Sequence, residues 1–131
     1  MNYKTISTLI GAFLFLTSQT TDDPIMTKEK DVTIINTTSL ATDIEGYVGC
    51  TPVKVYIKGG KVLRVEALEN EETPKYFDMV EKGLMKKWIG MPVKTAEKCK
   101  VDVVTGATVS SEAVIENVRR GISYYIYVNK K

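Results

Sequence analysis

Apolar and polar positions alternate most clearly from Val53 onward, where Val53, Val55 and Ile57 are interleaved with Lys54, Tyr56 and Lys58. A period of two is the pattern of a strand with one face in a core. Gly59 and Gly60 follow, and then a second apolar run of Val62, Leu63 and Val65. A two-residue loop made of the two glycines would set Val55 opposite Arg64 and send the two apolar faces to opposite sides. A three-residue loop, Lys58–Gly60 with Gly60 in the left-handed region, sets Val55 opposite Leu63 and Val53 opposite Val65, and is the predicted connection. Gly46–Cys50 is expected to add another strand to the same sheet, with Pro52 marking the break.

The period then changes. Thr73 is the expected N-cap of a helix with Pro74 at its first position. Tyr76, Val80 and Leu84 recur at helical spacing with Phe77 beside them, and Gly83 weakens or bends this helix. A short helical turn is expected around Thr95–Lys98. The longest periodic segment is the last, Val109–Tyr127, with a stripe of Val114, Ile115, Val118, Ile122 and Tyr125. Glu112 and Glu116 lie toward its positive N-terminal end, and Arg119 and Arg120 further along. A small antiparallel sheet with a β-hairpin, packed by a middle helix and a long C-terminal helix, makes the fold class α+β.

The amino terminus departs from this pattern. Lys4 precedes an unbroken apolar run, Ile10–Leu16, which gives way to small polar residues. That order is the signature of a secretory signal, expected over residues 1–20 with cleavage near Ser18–Thr20; an uncleaved amphiphilic anchor is the competing reading. The run is short for a membrane span, so the mature protein is expected to be exported and to cross no bilayer itself. Residues 21–43 read as a polar spacer in which Val32–Ile35 is the one apolar patch, an edge strand at most.

Composition narrows the functional classes. The 131 residues carry 18 basic against 16 acidic side chains, a net charge of +2, which gives no global argument for nucleic acid or an anionic surface. There is no histidine. Ser-His-Asp and Cys-His hydrolysis, His-ligated zinc and histidine bases are therefore excluded, and demanding chemistry requires a borrowed cofactor. Cys50 and Cys99 belong to no CxxC or CxxCH pattern. In an oxidising compartment a bridge between them is worth about 4 kcal/mol in the chain-entropy model; two separate buried thiols are the equal alternative.

The chemistry-bearing stretch is Val101–Ser111, "VDVVTGATVSS". Val101 and Val103 alternate as a strand, Thr105, Gly106, Ala107 and Thr108 form a narrow turn, and the last helix follows. Small residues allow close approach to the backbone, and a helix start offers unpaired N–H groups to an anion such as phosphate. Simple capping by Thr108 or Ser110 explains the same residues. The stretch is neither a Walker A loop nor GxGxxG.

"DVVTGAT", Asp102–Thr108, resembles the flavinylation motif Asp-x-x-Ser/Thr-Gly-Ala-Thr of the FMN-binding domain family. That family includes the flavin-bearing subunits of sodium-pumping NADH:quinone reductases and Rnf complexes. "GYVG", "VYIKGGKVLRVEAL", "NEETPKYF", "KWIGM" and "AVIENVRRGISYY" extend the resemblance over about Glu45–Tyr127, so that 44–131 is the expected FMN-binding domain. The resemblance implies FMN joined through its phosphate to Thr108 by a separate, Mg²⁺-dependent flavin transferase that uses FAD. Asp102 and Thr105 match the motif's acidic and hydroxyl positions, Gly106 and Ala107 its small ones, and Ser110 and Ser111 complete the setting. Glu72, Thr73 and Pro74 resemble the family's Glu-Thr-Pro element near the flavin, although Lys75 follows where the large subunits have glycine. Cys50 stands where members commonly have proline after "GYVG". Tyr47, Tyr56 and Trp88 are candidates for the wall of the flavin ring.

The implied function is an exported electron carrier, on the periplasmic or extracellular face of a bacterial cell, holding FMN covalently and exchanging electrons with a membrane redox complex or another flavinylated protein. No substrate-processing residues are evident, so a carrier is expected before an enzyme. A flavin-dependent reductase of a small extracytoplasmic acceptor, and a non-redox binding or sensing module with Thr108 unmodified, are the competing readings.

Overall fold

The computed structural model describes residues 24–130. The expected signal, residues 1–20, lies outside them. Four strands, β1 (Met26–Glu29), β2 (Val32–Asn36), β3 (Val53–Lys58) and β4 (Lys61–Ala67), form one antiparallel sheet in the order β1-β2-β3-β4. Helix α1 (Pro74–Leu84) runs into a 3₁₀ turn (Met85–Trp88), and α2 (Val93–Lys98) and α3 (Thr108–Val128) follow. The α+β class and the long C-terminal helix are as the periodicity indicates. Among the described residues no helix is long and apolar enough to cross a membrane.

Residues 21–43 do not behave as a spacer throughout. Met26–Asn36 forms a hairpin whose second strand is interior, paired to β1 on one side and to β3 on the other. Lys30, with φ at 59°, makes its tight turn. Ile34 and Ile35 are both buried, so β2 shows no alternation, and four consecutive buried residues, Thr33–Asn36, do not announce a strand.

The β3–β4 turn also corrects an expectation. The loop has two residues, Gly59 and Gly60, both at positive φ (60° and 75°), with Lys58 opposite Lys61. Such a turn matches the twist of its strands and is open to glycine at no steric cost. The faces still align because a β-bulge absorbs Leu63: Ile57 pairs with Val62, whereas Tyr56 pairs with Arg64 and Val55 with Val65. Val62 and Val65 consequently enter the core, and Leu63 is left outside.

Gly46–Cys50 forms no strand. It is a turn closed by the Gly46 N–H donating to the Gly49 carbonyl at 2.8 Å. Val101–Val104 is likewise irregular rather than a strand.

The core lies between the inner face of the sheet and the helices. Val53, Val55, Ile57 and Val62 meet Phe77, Val80 and Leu84 of α1, Trp88, and Val114, Val118 and Ile122 of α3. Ile115 and Tyr125 are only partly buried, while Asn117 and Gly121 occupy the centre of the α3 stripe. A Cβ on Gly121 would stand 2.9 Å from Thr37 Cγ2 and 3.4 Å from Val55 Cγ2, so α3 lies close against β3 and the end of β2. One buried polar link crosses there: the Thr37 hydroxyl donates to Asn117 Oδ1 at 2.6 Å and accepts the Val53 N–H at 3.0 Å, and the Asn117 amide donates to the Ala113 carbonyl at 3.0 Å. On the outside, Arg120 grips Asp43 through both carboxylate oxygens at 2.6 and 3.0 Å and Glu116 at 2.9 Å. That clamp carries the chain after β2 across the side of α3.

Gly121→Ala tests the close packing. Alanine favours a helix by about 1 kcal/mol, but overpacking against Thr37 costs about 1–3 kcal/mol. A lowered denaturation midpoint in urea is expected, and an unchanged or raised midpoint would show that α3 has room to move outward.

Candidate functional site

Glu72 organises the site. It precedes α1, is 5% exposed, and accepts four hydrogen bonds on its carboxylate. The N–H groups of Tyr47, Val48 and Gly49 donate at 2.8, 2.6 and 2.9 Å, and the Ser110 hydroxyl of α3 supplies the fourth bond. Three successive amides turned onto one anion form a backbone nest. The turn must come close to the carboxylate, since a Cβ on Gly46 would fall 2.5 Å from Glu72 Oε1. The backbone N–H of Glu72 in turn donates to Asn70 Oδ1 at 3.0 Å. Burial pushes the Glu72 carboxyl upward, but Ser110 and the three amides outweigh it and hold the group below its ordinary value of 4.5.

The second wall is the start of α3. Gly106, with φ at 89°, adopts a backbone conformation that side chains disfavour, and a Cβ there would lie 3.3 Å from Met79 Cε of α1. The Ala107 N–H closes the turn on the Val104 carbonyl at 2.9 Å. Ala107 is the N-cap and has no side-chain oxygen to offer. The nearby hydroxyls are employed elsewhere: Ser110 on Glu72, and Ser111 accepting the Val104 N–H at 3.0 Å. The first amides of α3 therefore have no side-chain cap, and the Thr108 side chain is exposed beside them.

Between these walls lies a cleft of about 440 Å³, lined by Tyr47, Glu72, Thr73, Tyr76 and the segment Gly106–Ser110. The structure thus brings together six of the expected site residues, Glu72, Thr73, Gly106, Ala107, Thr108 and Ser110. Ser111 lies beneath them, buried. Asp102 and Thr105 are exposed on the approach to the turn and do not line the cleft, and Pro74 starts α1 just outside it. Among the aromatic candidates Tyr47 borders the cleft, whereas Tyr56 and Trp88 do not. The Tyr56 hydroxyl donates to Glu66 at 2.8 Å, and the Arg64 guanidinium covers its ring at 3.8 Å. Trp88 is 2% exposed in the core.

Tyr76 and Val109 complete the lining although neither was expected there. Tyr76 belongs to the apolar spacing of α1, but it sits one turn beyond Thr73 and is 44% exposed. Its place in the first helical turn after Glu-Thr-Pro is the signal that would have found it. The two cysteines are free: Cys50 Sγ is directed to the Thr42 carbonyl at 3.7 Å and Cys99 Sγ to the Ala96 carbonyl at 3.5 Å.

A family model for the FMN-binding domain matches residues 46–123, more than half of the chain. The chain belongs to the FMN-binding domain family. No match was found among curated proteins. Flavin binding is therefore the function at the level of the family, with FMN as cofactor. The cleft of this FMN-binding domain suits that group on chemical grounds. It combines two tyrosine rings, fit to face an aromatic system, with uncapped helix amides fit to face a phosphate. Its volume also falls within the ~300–1,000 Å³ of small-molecule sites.

The acid limb of stability follows from two carboxylates. Glu116 is held at about 2, by Arg119 first, against the upward push of burial and with further help from Arg120; Glu72 is also lowered. Groups depressed in the folded state contribute stability that is fully present above their unfolded value and is lost as pH falls through the folded one. The urea midpoint is expected to hold from neutrality to about pH 5 and to fall steadily below about pH 4. Glu72→Gln should lose about 1.5–3 kcal/mol at pH 7 and show a shallower acid limb than the wild type. An unchanged acid limb would mean that the amide nest does not stabilise the ionised carboxylate.

Proposed function

We propose that this domain is an exported flavoprotein that carries FMN as a phosphoester of Thr108 and relays electrons between redox partners. The observation that carries the reading is the hydroxyl assignment at the start of α3. Ser110 and Ser111 are committed to Glu72 and to the Val104 N–H, whereas Thr108 stands exposed at the edge of the cleft with uncapped amides beside it. An exposed hydroxyl is what an external transferase requires.

In the attachment step the Thr108 oxygen bonds to the phosphorus that becomes the FMN phosphate, and the phosphoanhydride of FAD breaks. AMP leaves, and the hydroxyl proton is released. The transferase and its Mg²⁺ supply the catalysis, in keeping with a chain that has no histidine to act as base. The uncapped first amides of α3 would hold that phosphate and offset its charge. Glu72 holds residues 47–49 in place, which sets the Tyr47 ring at the border of the cleft opposite the helix start. Bound FMN supplies the one- and two-electron chemistry. Asp102 and Thr105 lie exposed on the approach to the turn, outside the cleft, where they present Thr108. The electron partners are a membrane redox complex or a second flavinylated protein.

The test is made on protein purified from its native host, or co-expressed with a flavin transferase. Wild-type protein is expected to retain flavin fluorescence through a denaturing gel, with the mass of FMN minus water on the peptide containing Thr108. Thr108→Ala should lose that covalent fluorescence completely while keeping its fold. Fluorescence that survives denaturation in Thr108→Ala would remove Thr108 as the attachment point.

A further inference from the structure

The end of the sheet away from the cleft carries lysines around two exposed aliphatic side chains. The chain beyond the 3₁₀ turn runs beside the start of β4. The Gly90 N–H donates to the Val62 carbonyl at 2.8 Å, the Val62 N–H to the Met91 carbonyl at 2.9 Å and the Val93 N–H to the Gly60 carbonyl at 2.9 Å. These bonds bring Ile89 and Leu63 into neighbouring positions, and they are 53% and 44% exposed. Leu63 faces outward because the bulge excludes it from the core. The Ile89 N–H reaches back to the Lys86 carbonyl at 3.2 Å, which keeps Lys86 and Lys87 within a turn of it. Lys61 stands opposite Pro92, and Lys94 follows Val93. Among the described residues Lys61, Lys86, Lys87 and Lys94 enter no ion pair, whereas Lys58 meets Asp31 at 3.6 Å.

We propose that this end, built on exposed Leu63 and Ile89 with Lys61, Lys86, Lys87 and Lys94 on the same paired chain segments, docks on an anionic phospholipid bilayer. Two aliphatic side chains enter the headgroup boundary, and the lysine stems lie along the apolar surface with their ammonium groups at the phosphates. A second copy is a poor occupant. A two-fold contact would set these lysines against themselves, and two side chains fall far short of the ~800 Å² per partner of a stable interface.

The topology makes the orientation useful. Helix α1 begins at the cleft, where Thr73 and Tyr76 line it, and its 11 residues lead to the 3₁₀ turn that ends at this patch. That separates the two by roughly 16 Å along α1 alone. A domain seated on lipid through Leu63 and Ile89 therefore holds its cleft away from the bilayer. The inference is independent of whether Thr108 carries FMN.

Vesicle co-sedimentation tests it on the full-length chain, signal segment included. Because the apolar run Ile10–Leu16 can partition by itself, neutral phosphatidylcholine vesicles are measured in parallel with vesicles containing about 30% phosphatidylglycerol. Partition onto the anionic vesicles is expected to be at least about tenfold stronger and to fall sharply in roughly 0.5 M salt. Lys86→Glu with Lys87→Glu should lower it by about tenfold or more, and Leu63→Ser with Ile89→Ser by a few-fold, with far-UV circular dichroism unchanged in both. Equal partition onto the two vesicle types, or folded Lys86→Glu/Lys87→Glu protein that binds like the wild type, overturns the proposal. Dimerisation that Ile89→Ser abolishes, without lipid binding, would assign the face to a second copy instead. Binding to host membranes that disappears once their proteins are stripped would assign it to an acidic protein.

Discussion

The buried Glu72 carboxylate is the point on which the site depends. A charge at that depth is costly unless donors surround it. Here the donors come from separate parts of the chain: three backbone amides from the turn at 47–49 and one hydroxyl from α3. The requirement to satisfy the charge fixes the position of each. The turn is pulled over the start of α1, α3 is held so that its first turn faces the same space, and the cleft is what remains between them. One carboxylate thereby ties the 47–49 turn, the start of α1 and the first turn of α3 together as the walls of the cleft.

Behind the site, the sheet and α3 supply the rigid support that such a network needs. Gly121 allows α3 to approach Thr37 and Val55, and the Thr37–Asn117 link is enclosed by the packing around it. Arg120, gripping Asp43 and Glu116, closes the chain between β2 and the cleft onto the flank of the helix. Function and stability thus share α3: its first turn serves the cleft, and its middle serves the core. The two ends of the domain differ in character, since the cleft lies at one end of the sheet and the exposed Leu63 and Ile89 mark the other.

The legible parts of the fold were those with a regular period facing one core. β3, α1 and α3 show it, and each forms where the spacing indicates. β2 was obscured because both of its faces are covered, which removes alternation. The β3–β4 turn was misread for a different reason: local pairing rules treat loop length as the only way to align two apolar faces, whereas a bulge at Leu63 achieves the alignment within the strand. At the site, small and hydroxyl residues at a helix start mark Gly106, Ala107, Thr108 and Ser110 as open to an anion or to simple capping, and the resemblance to the family's motifs singles out Thr108 and adds Glu72 and Thr73. Tyr76 was hidden by its helical spacing, which matches a core position.

The sequence by itself determined the α+β class, the family, the absence of histidine chemistry and the identity of the hydroxyls at the start of α3, because each is carried by residue type and short-range spacing. Tertiary structure alone decided how those hydroxyls are used. Ser110 turns to Glu72, 38 positions earlier in the chain, Ser111 turns to Val104, and Thr108 remains exposed at the cleft. No local pattern contains that choice, since it is set by where a buried charge must find its donors after the sheet and helices have packed.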